Sequence, residues 1–230
     1  MADPSKKIKA GPRTGWAPAW NHRLVCVNMD GILRQCGVTS EDVRVKMIGH
    51  SIEASGWAQR CWHYNCWGVK LGGWKGNYYY KSTVEEDAWG SEYDPGYLGS
   101  LWRALPSYSD AVTDYFQRIN VGSKRYGVAA AALLNPSVSP GDWWAIMGKS
   151  GYFTAKKDPV KYMNSICANV RRQIANATDE EKEAALLIDV GGSSTVPEMD
   201  SSGSSSAWWV LGLVALAGGV AYLIYKGKIK

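Results

Sequence analysis

The chain has 230 residues, which is enough for one ordinary globular domain with appendages. Hydrophobic residues make up 46% and charged residues 20%, and this balance excludes a largely disordered chain. The net charge of +5 is mild, and no interleaved basic and aromatic motif typical of a nucleic-acid module is present, so we expect no nucleic-acid partner.

Residues 1–38 are interpreted as an N-terminal arm and lead-in to the domain. The arm carries Lys6, Lys7, Lys9 and Arg13. Because no apolar run follows these lysines, we expect no cleavable signal peptide.

The first helix is predicted where Thr39 or Ser40 can act as an N-cap, and it runs to about Ala54. Gly56 is expected to end it. One apolar stripe follows the helical period and consists of Val43, Met47, Ile48 and Ile52.

The segment between residues 67 and 89 is rich in Tyr, Thr, Val and Gly and predicts a small β lobe. Helical patterns return from about Tyr97, and Pro159 fits the first turn of one of these helices. A last short helix opens with a capping box at Thr178. The predicted fold class is therefore α+β, mostly α, with a domain at 39–189.

Residues 190–206 are rich in Gly and Ser and predict a flexible linker. Residues 207–225 contain no charge and are flanked by aromatic residues, which predicts a single C-terminal transmembrane helix in a lipid bilayer. The basic tail at 226–230 would then lie on the cytoplasmic or equivalent side.

Five cysteines are present, with no CxxC motif and with no histidine at a zinc-ligand spacing. We therefore expect no metal and no cofactor. Cys61 could pair with Cys66, or Cys26 with Cys36, if the domain works outside the cytoplasm; free buried thiols are the alternative.

Glu53 is a candidate general acid because it stands near the end of an apolar helix, where burial would keep a carboxyl protonated. An ordinary surface glutamate is the alternative. Glu85 and Glu86, in the β lobe, are candidates for the second carboxylate that glycoside hydrolysis commonly uses.

Six blocks of the sequence, in order, resemble the glucosaminidase-type peptidoglycan hydrolases of phages and flagella, within the lysozyme-like superfamily. SIEASGWAQR, NCWGVK and WKG resemble the family's ESGWG, NNLFGIK and WKG series. TVEE resembles its T-x-E segment, LWRALPSYSDAVTDY its FR-x-YPS segment, and GYFTAKKDPVKY its GYATDPxY segment. The blocks lie within residues 51–162 and leave out the N-terminal arm, the linker and the last helix.

The resemblance implies a lysozyme-like domain with Glu53 as general acid, Glu85 as second carboxylate and Tyr152 in the cleft. Four further residues are implied in substrate binding: Asn65, Trp67, Lys70 and Tyr126. For Trp67 and Tyr126, simple packing is the alternative.

One departure from the family concerns the acid itself. The family's acid directly precedes SGW, whereas here Ala54 does and Glu53 stands one residue earlier. One residue of an α-helix turns a side chain by about 100°. Either the helix is locally bulged so that Glu53 still faces the cleft, or the acid is lost.

The resemblance predicts an endo-N-acetylglucosaminidase acting on peptidoglycan glycan strands. A lytic transglycosylase of the same fold is one alternative, and a non-catalytic glycan-binding or structural membrane protein of a virion is another. The predicted anchor suggests a virion with an internal membrane, with other virion proteins as partners and a role in opening the wall during phage entry. A bacterial envelope is the other expected location.

Overall fold

The computed structural model describes residues 3–9, 21–59, 61–80, 101–152 and 158–191, together with the backbone of 85–86 and 92–93. Within these residues the chain forms helices α1 to α7 and five short strands, β1 to β5. The helices are His22–Gln35, Glu41–Ser55, Tyr108–Arg118, Gly127–Leu134, Pro140–Lys149, Pro159–Ala175 and Asp179–Ala185. The strands are Lys7–Ile8, Tyr78–Tyr80, Glu85–Glu86, Glu92–Tyr93 and Leu101–Arg103.

Side-chain caps define where most of these helices begin. At six N-termini the cap side chain accepts a hydrogen bond from the backbone N–H three residues later, which satisfies a donor that the helix leaves unpaired. These caps are Asn21, Ser40, Ser107, Ser139, Asp158 and Thr178. The predicted caps at Ser40 and Thr178 are confirmed, including the full capping box at Thr178.

Helix α2 lies at the centre of the helical core. Every residue from Val43 to Ile52 is buried, and the helix packs against α1, α4 and α6. Its buried cations are satisfied, because Arg44 donates to Asp30 at 2.7 Å and Lys46 donates to the carbonyl of Asn135 at 3.1 Å. A helix enclosed in this way gives the residues in its last turn a fixed position.

The five strands form two small sheets. In the first sheet β1 pairs parallel to β2, and β2 pairs antiparallel to β5 with Tyr79 opposite Trp102. In the second sheet β3 pairs antiparallel to β4 with Glu85 opposite Tyr93. The described fold is thus mostly helical with small sheets, as the sequence predicts.

Part of the predicted N-terminal arm and lead-in packs against the helical core. Helix α1 carries buried Met29, Ile32 and Leu33 into the core and packs against α2, α6 and α7. Strand β1 joins the sheet, so the predicted arm at 1–38 contributes to the domain. At the other end, the Val190 carbonyl accepts from Ser109 N–H at 3.0 Å.

The transmembrane part of the predicted fold class is corrected. In the described ranges, no helix has the length and apolar character needed to cross a membrane. This finding gives the predicted single-pass localisation no support, and the lipid and virion partners that rested on it have none either. The segment at 207–225 itself lies outside the described residues.

Candidate active site

Glu53 lies in the last turn of α2. The helix remains regular through Ser55 and ends at Gly56, whose left-handed backbone lets its N–H bond to the Ile52 carbonyl at 2.8 Å. The local bulge expected as one alternative is therefore absent from α2. Glu53 and Ala54 consequently point in directions about 100° apart around the helix axis.

The Glu53 carboxylate contacts helix α6. The Tyr162 hydroxyl, in the second turn of α6, donates a hydrogen bond to Glu53 Oε2. Burial, and then this hydrogen bond, raises the pKa of Tyr162 well above its usual value. Because the phenol stays protonated around neutral pH, it is a permanent donor that fixes one oxygen of the carboxyl group. Tyr162 is still 38% exposed, so the pair lies at the surface of the core.

Ala54 lies against the loop that leads to the small sheet. A Cβ atom placed on Gly68 would be 3.4 Å from the Ala54 Cβ and 3.6 Å from the Trp102 ring. The position at which the family carries its acid therefore adjoins β5, whereas Glu53 adjoins α6.

Tyr152 packs against α2 through a contact with His50. Its hydroxyl donates to the Trp67 carbonyl at 3.2 Å. Its ring makes edge contacts with His50 and Tyr126, at centroid distances of 4.9 and 5.6 Å. Burial raises the pKa of Tyr152, although Arg118 opposes the shift. The structure thus places this predicted site residue beside His50, one turn before Glu53.

Two predicted substrate-binding residues are almost fully enclosed. Asn65 is 3% exposed, and its amide donates to the carbonyls of Val69 and Arg103 at 2.9 and 3.1 Å. Trp67 is 2% exposed, and its indole N–H donates to the Met47 carbonyl at 2.9 Å. Both side chains are packed inside the core, and their role in substrate binding stays a prediction.

The other two predicted binding residues lie beside cationic and aromatic groups. The Lys70 ammonium is 5.9 Å from the centroid of the Trp102 ring. Tyr126 is buried between Arg118 and Arg125, whose guanidinium carbons lie 5.6 and 5.2 Å from its ring centroid. Lys70 is half-buried, so it is better placed than Tyr126 to meet a substrate.

The predicted second carboxylate belongs to the β3–β4 hairpin. The backbone of Glu85 and Glu86 pairs with that of Tyr93 and Glu92. Their side chains lie outside the described residues, so the role of Glu85 stays a prediction. Within the described ranges, no cluster of three or more His, Cys, Asp or Glu side chains is arranged to hold a metal ion.

A cavity of about 510 Å³ lies apart from Glu53, between β1, the 74–77 loop and α3. Asp114 lines it and forms an ion pair with Arg103 that joins α3 to β5. Burial raises the pKa of Asp114, and the charge of Arg103 opposes this. Neither Glu53 nor Tyr162 lines this cavity.

The fold is similar to a crystal structure described as a peptidoglycan hydrolase mutant from Sphingomonas sp. A1. The TM-score is 0.51 and the identity 16%, over 68% of this chain and 99% of the other. At this identity the similarity concerns the fold alone; it agrees with the fold that the sequence resemblance implies and does not reach the glucosaminidase-type family. No protein-family model and no curated protein matches the chain.

Sequence motifs alone do not identify Tyr162 as the partner of Glu53. Tyr162 ends the GYFTAKKDPVKY block, and the Asp158 cap with Pro159 predicts that it stands near the start of a helix. The contact joins residues 109 positions apart, so it follows only once α2 packs against α6.

Proposed function

We propose that the chain cleaves the β-1,4 glycosidic bond after N-acetylglucosamine in peptidoglycan, as an endo-N-acetylglucosaminidase. The observation that carries the proposal is the fold, which covers 99% of a peptidoglycan hydrolase and has Glu53 at the exit of its central helix. A glutamate held in the last turn of a buried helix can serve as the fixed proton donor that the leaving oxygen requires.

In this mechanism Glu53 protonates the leaving glycosidic oxygen from the α6 side of the end of α2, so that no bulge in α2 is needed. Tyr162 occupies Oε2, so the transferred proton belongs on Oε1. Glu85 is assigned the second role, which is to position water or to support the oxocarbenium-like transition state. Lys70, beside the Trp102 ring, is assigned to the glycan-binding surface.

The first test is digestion of purified peptidoglycan by the full chain, followed by mass analysis of the released fragments. Glu53→Gln keeps the size of the side chain but removes its acidic proton, so we expect a loss of about 10²–10⁴-fold in rate. Circular dichroism checks that the variant is folded. Retention of more than about a tenth of the activity would exclude Glu53 as the acid. Fragments that lack the elements of water would identify a lytic transglycosylase instead.

The position of Ala54 favours a second candidate function, that of a glycan-binding protein that does not cleave peptidoglycan. In the regular helix α2, Ala54 adjoins Gly68 and Trp102 while Glu53 contacts Tyr162. If this candidate is right, the full chain binds insoluble peptidoglycan without releasing fragments. The matched variant Ala54→Glu then gains turnover, because it restores an acid at the family's position. This candidate is contradicted if the unmodified chain cleaves peptidoglycan and Glu53→Gln abolishes that cleavage.

A further inference from the structure

Cys61 and Cys66 face each other in the turn that follows α2. Their Sγ atoms are 2.9 Å apart, and neither residue has exposed surface. Bonded sulfur atoms lie about 2.05 Å apart, so a shift of about 0.9 Å would bring the two thiols to bonding distance. The Cys167 Sγ atom, by contrast, lies 3.6 Å from the Val45 carbonyl.

The backbone between the two cysteines is already closed into a tight turn. The N–H groups of Asn65 and Cys66 donate to the carbonyls of Trp62 and Tyr64, at 3.0 and 2.8 Å. His63 and Tyr64 both have left-handed backbones, with φ of 48° and 56°. Two adjacent non-glycine residues in this region are costly and persist only where the surroundings constrain them. A covalent link across the turn would supply this constraint.

We propose that Cys61 and Cys66 form an intramolecular disulfide that closes the turn between α2 and the small sheet. This site is independent of the proposed glycosidase activity. The Cys66 carbonyl accepts from Ser51 Oγ of α2 at 3.1 Å, and Asn65 bonds to the carbonyl of Arg103 in β5. The bond therefore stiffens the connection between the central helix and the sheet.

The chemistry is thiol–disulfide exchange with a small disulfide such as oxidised glutathione. One cysteine thiolate attacks the small disulfide, forms a mixed disulfide and releases one small thiol. The second cysteine thiolate then attacks the protein sulfur of the mixed disulfide and releases the second small thiol. The protein loses two electrons and two protons, and the small disulfide is reduced. Because burial raises the pKa of Cys66, the thiolate is disfavoured in the folded turn, and the bond forms while the turn is still open.

Trypsin provides a direct test, because cleavage after Arg60 and Lys70 places both cysteines on one peptide. The reduced full chain is refolded with oxidised and reduced glutathione, denatured, alkylated with iodoacetamide and digested. We expect the 61–70 peptide to carry no alkyl group and to be lighter by two hydrogen atoms than the reduced peptide. Prior reduction should add two alkyl groups. Cys26, Cys36 and Cys167 lie on separate peptides, which should be alkylated without reduction.

Thermal unfolding provides the second measurement. We expect reduction of the refolded chain to lower its Tm by about 4–8 °C, as for a short disulfide loop in a domain of this size. The double variant C61S/C66S should show no change on reduction. A refolded chain with a native circular dichroism spectrum whose 61–70 peptide is alkylated at both cysteines overturns the proposal.

Discussion

Among individual residues, Tyr162 offers the sharpest test of how Glu53 is held. Tyr162→Phe removes only the hydroxyl that donates to Glu53 Oε2. A hydrogen bond to a charged group contributes about 1.5–3 kcal/mol, so we expect peptidoglycan cleavage to slow by about 10- to 100-fold with an unchanged fold. The loss should appear in kcat rather than in KM, because the phenol orients the acid and is not assigned to substrate binding.

Tyr80→Phe is the matched control for this variant. Tyr80 lies in β2, is 42% exposed and has no part in the proposed site. Its variant should cleave peptidoglycan at the normal rate. Equal rates for the two variants would mean that Tyr162 does not position Glu53.

The two glutamates of β3 allow a second comparison of single residues. Neighbouring positions of a strand belong to opposite faces of a sheet, so we expect only one of Glu85 and Glu86 to take part in catalysis. Glu85→Gln should lose more activity than Glu86→Gln in the peptidoglycan assay. The reverse order would move the second carboxylate to Glu86.

Local motifs predicted part of this site because they record residue types at fixed spacings. They single out Glu53 as a candidate acid but cannot show that it contacts Tyr162, since that contact depends on packing between distant helices. Motifs also cannot distinguish a residue that binds substrate from one that packs in the core. Asn65 and Trp67 match the family's positions, yet both side chains bond to backbone carbonyls inside the core.

Among helices, the predictable features were the ones with local causes. The caps at Ser40 and Thr178 and the stop at Gly56 need only neighbouring backbone groups. Helix α1 was missed because its burial depends on distant partners. It packs against α6 and α7, and its Asp30 pairs with Arg44 of α2.

The packing of α1 on α7 predicts a cost for one added methyl group. A Cβ atom on Gly31 would lie 2.6 Å from the Ala185 carbonyl oxygen. Gly31→Ala should therefore lower the free energy of unfolding by about 1–3 kcal/mol, even though alanine favours the helix. Urea unfolding measures the change.

Gly73→Ala is the control, because a Cβ atom there meets nothing within 4 Å. Its free energy of unfolding should change by less than about 0.5 kcal/mol. A Gly31→Ala variant as stable as this control would show that α7 can move away from α1 at no cost.

For the whole molecule, His50 makes the stability depend on pH. The imidazole is enclosed by the rings of Tyr115, Trp143, Trp144 and Tyr152, and burial lowers its pKa from 6.5 to about 3. Between these two values the unfolded chain binds a proton that the folded chain excludes. Stability is therefore retained above about pH 6.5 and falls by about 1.4 kcal/mol per unit as the pH decreases toward 3.

Urea unfolding at several pH values between about 7 and 4 tests this dependence. His50→Asn keeps a polar atom near the Tyr115 hydroxyl, which His50 Nδ1 meets at 3.1 Å, but it cannot titrate. The variant should be less stable at neutral pH, because the ring is lost, and should show a shallower decline in acid. Parallel declines in the two proteins would assign the acid sensitivity to other groups.

The burial of α2 also determines how readily the backbone around Glu53 unfolds locally. Local opening of a protein begins in segments with few buried contacts, whereas amides of the central core exchange with solvent only through global unfolding. Every residue of α2 from Val43 to Ile52 is buried, so the backbone that carries Glu53 belongs to the last part of the molecule to open. Fraying of α7 or of β1 would leave that backbone in place. The helix that carries Glu53 therefore persists for as long as the domain remains folded.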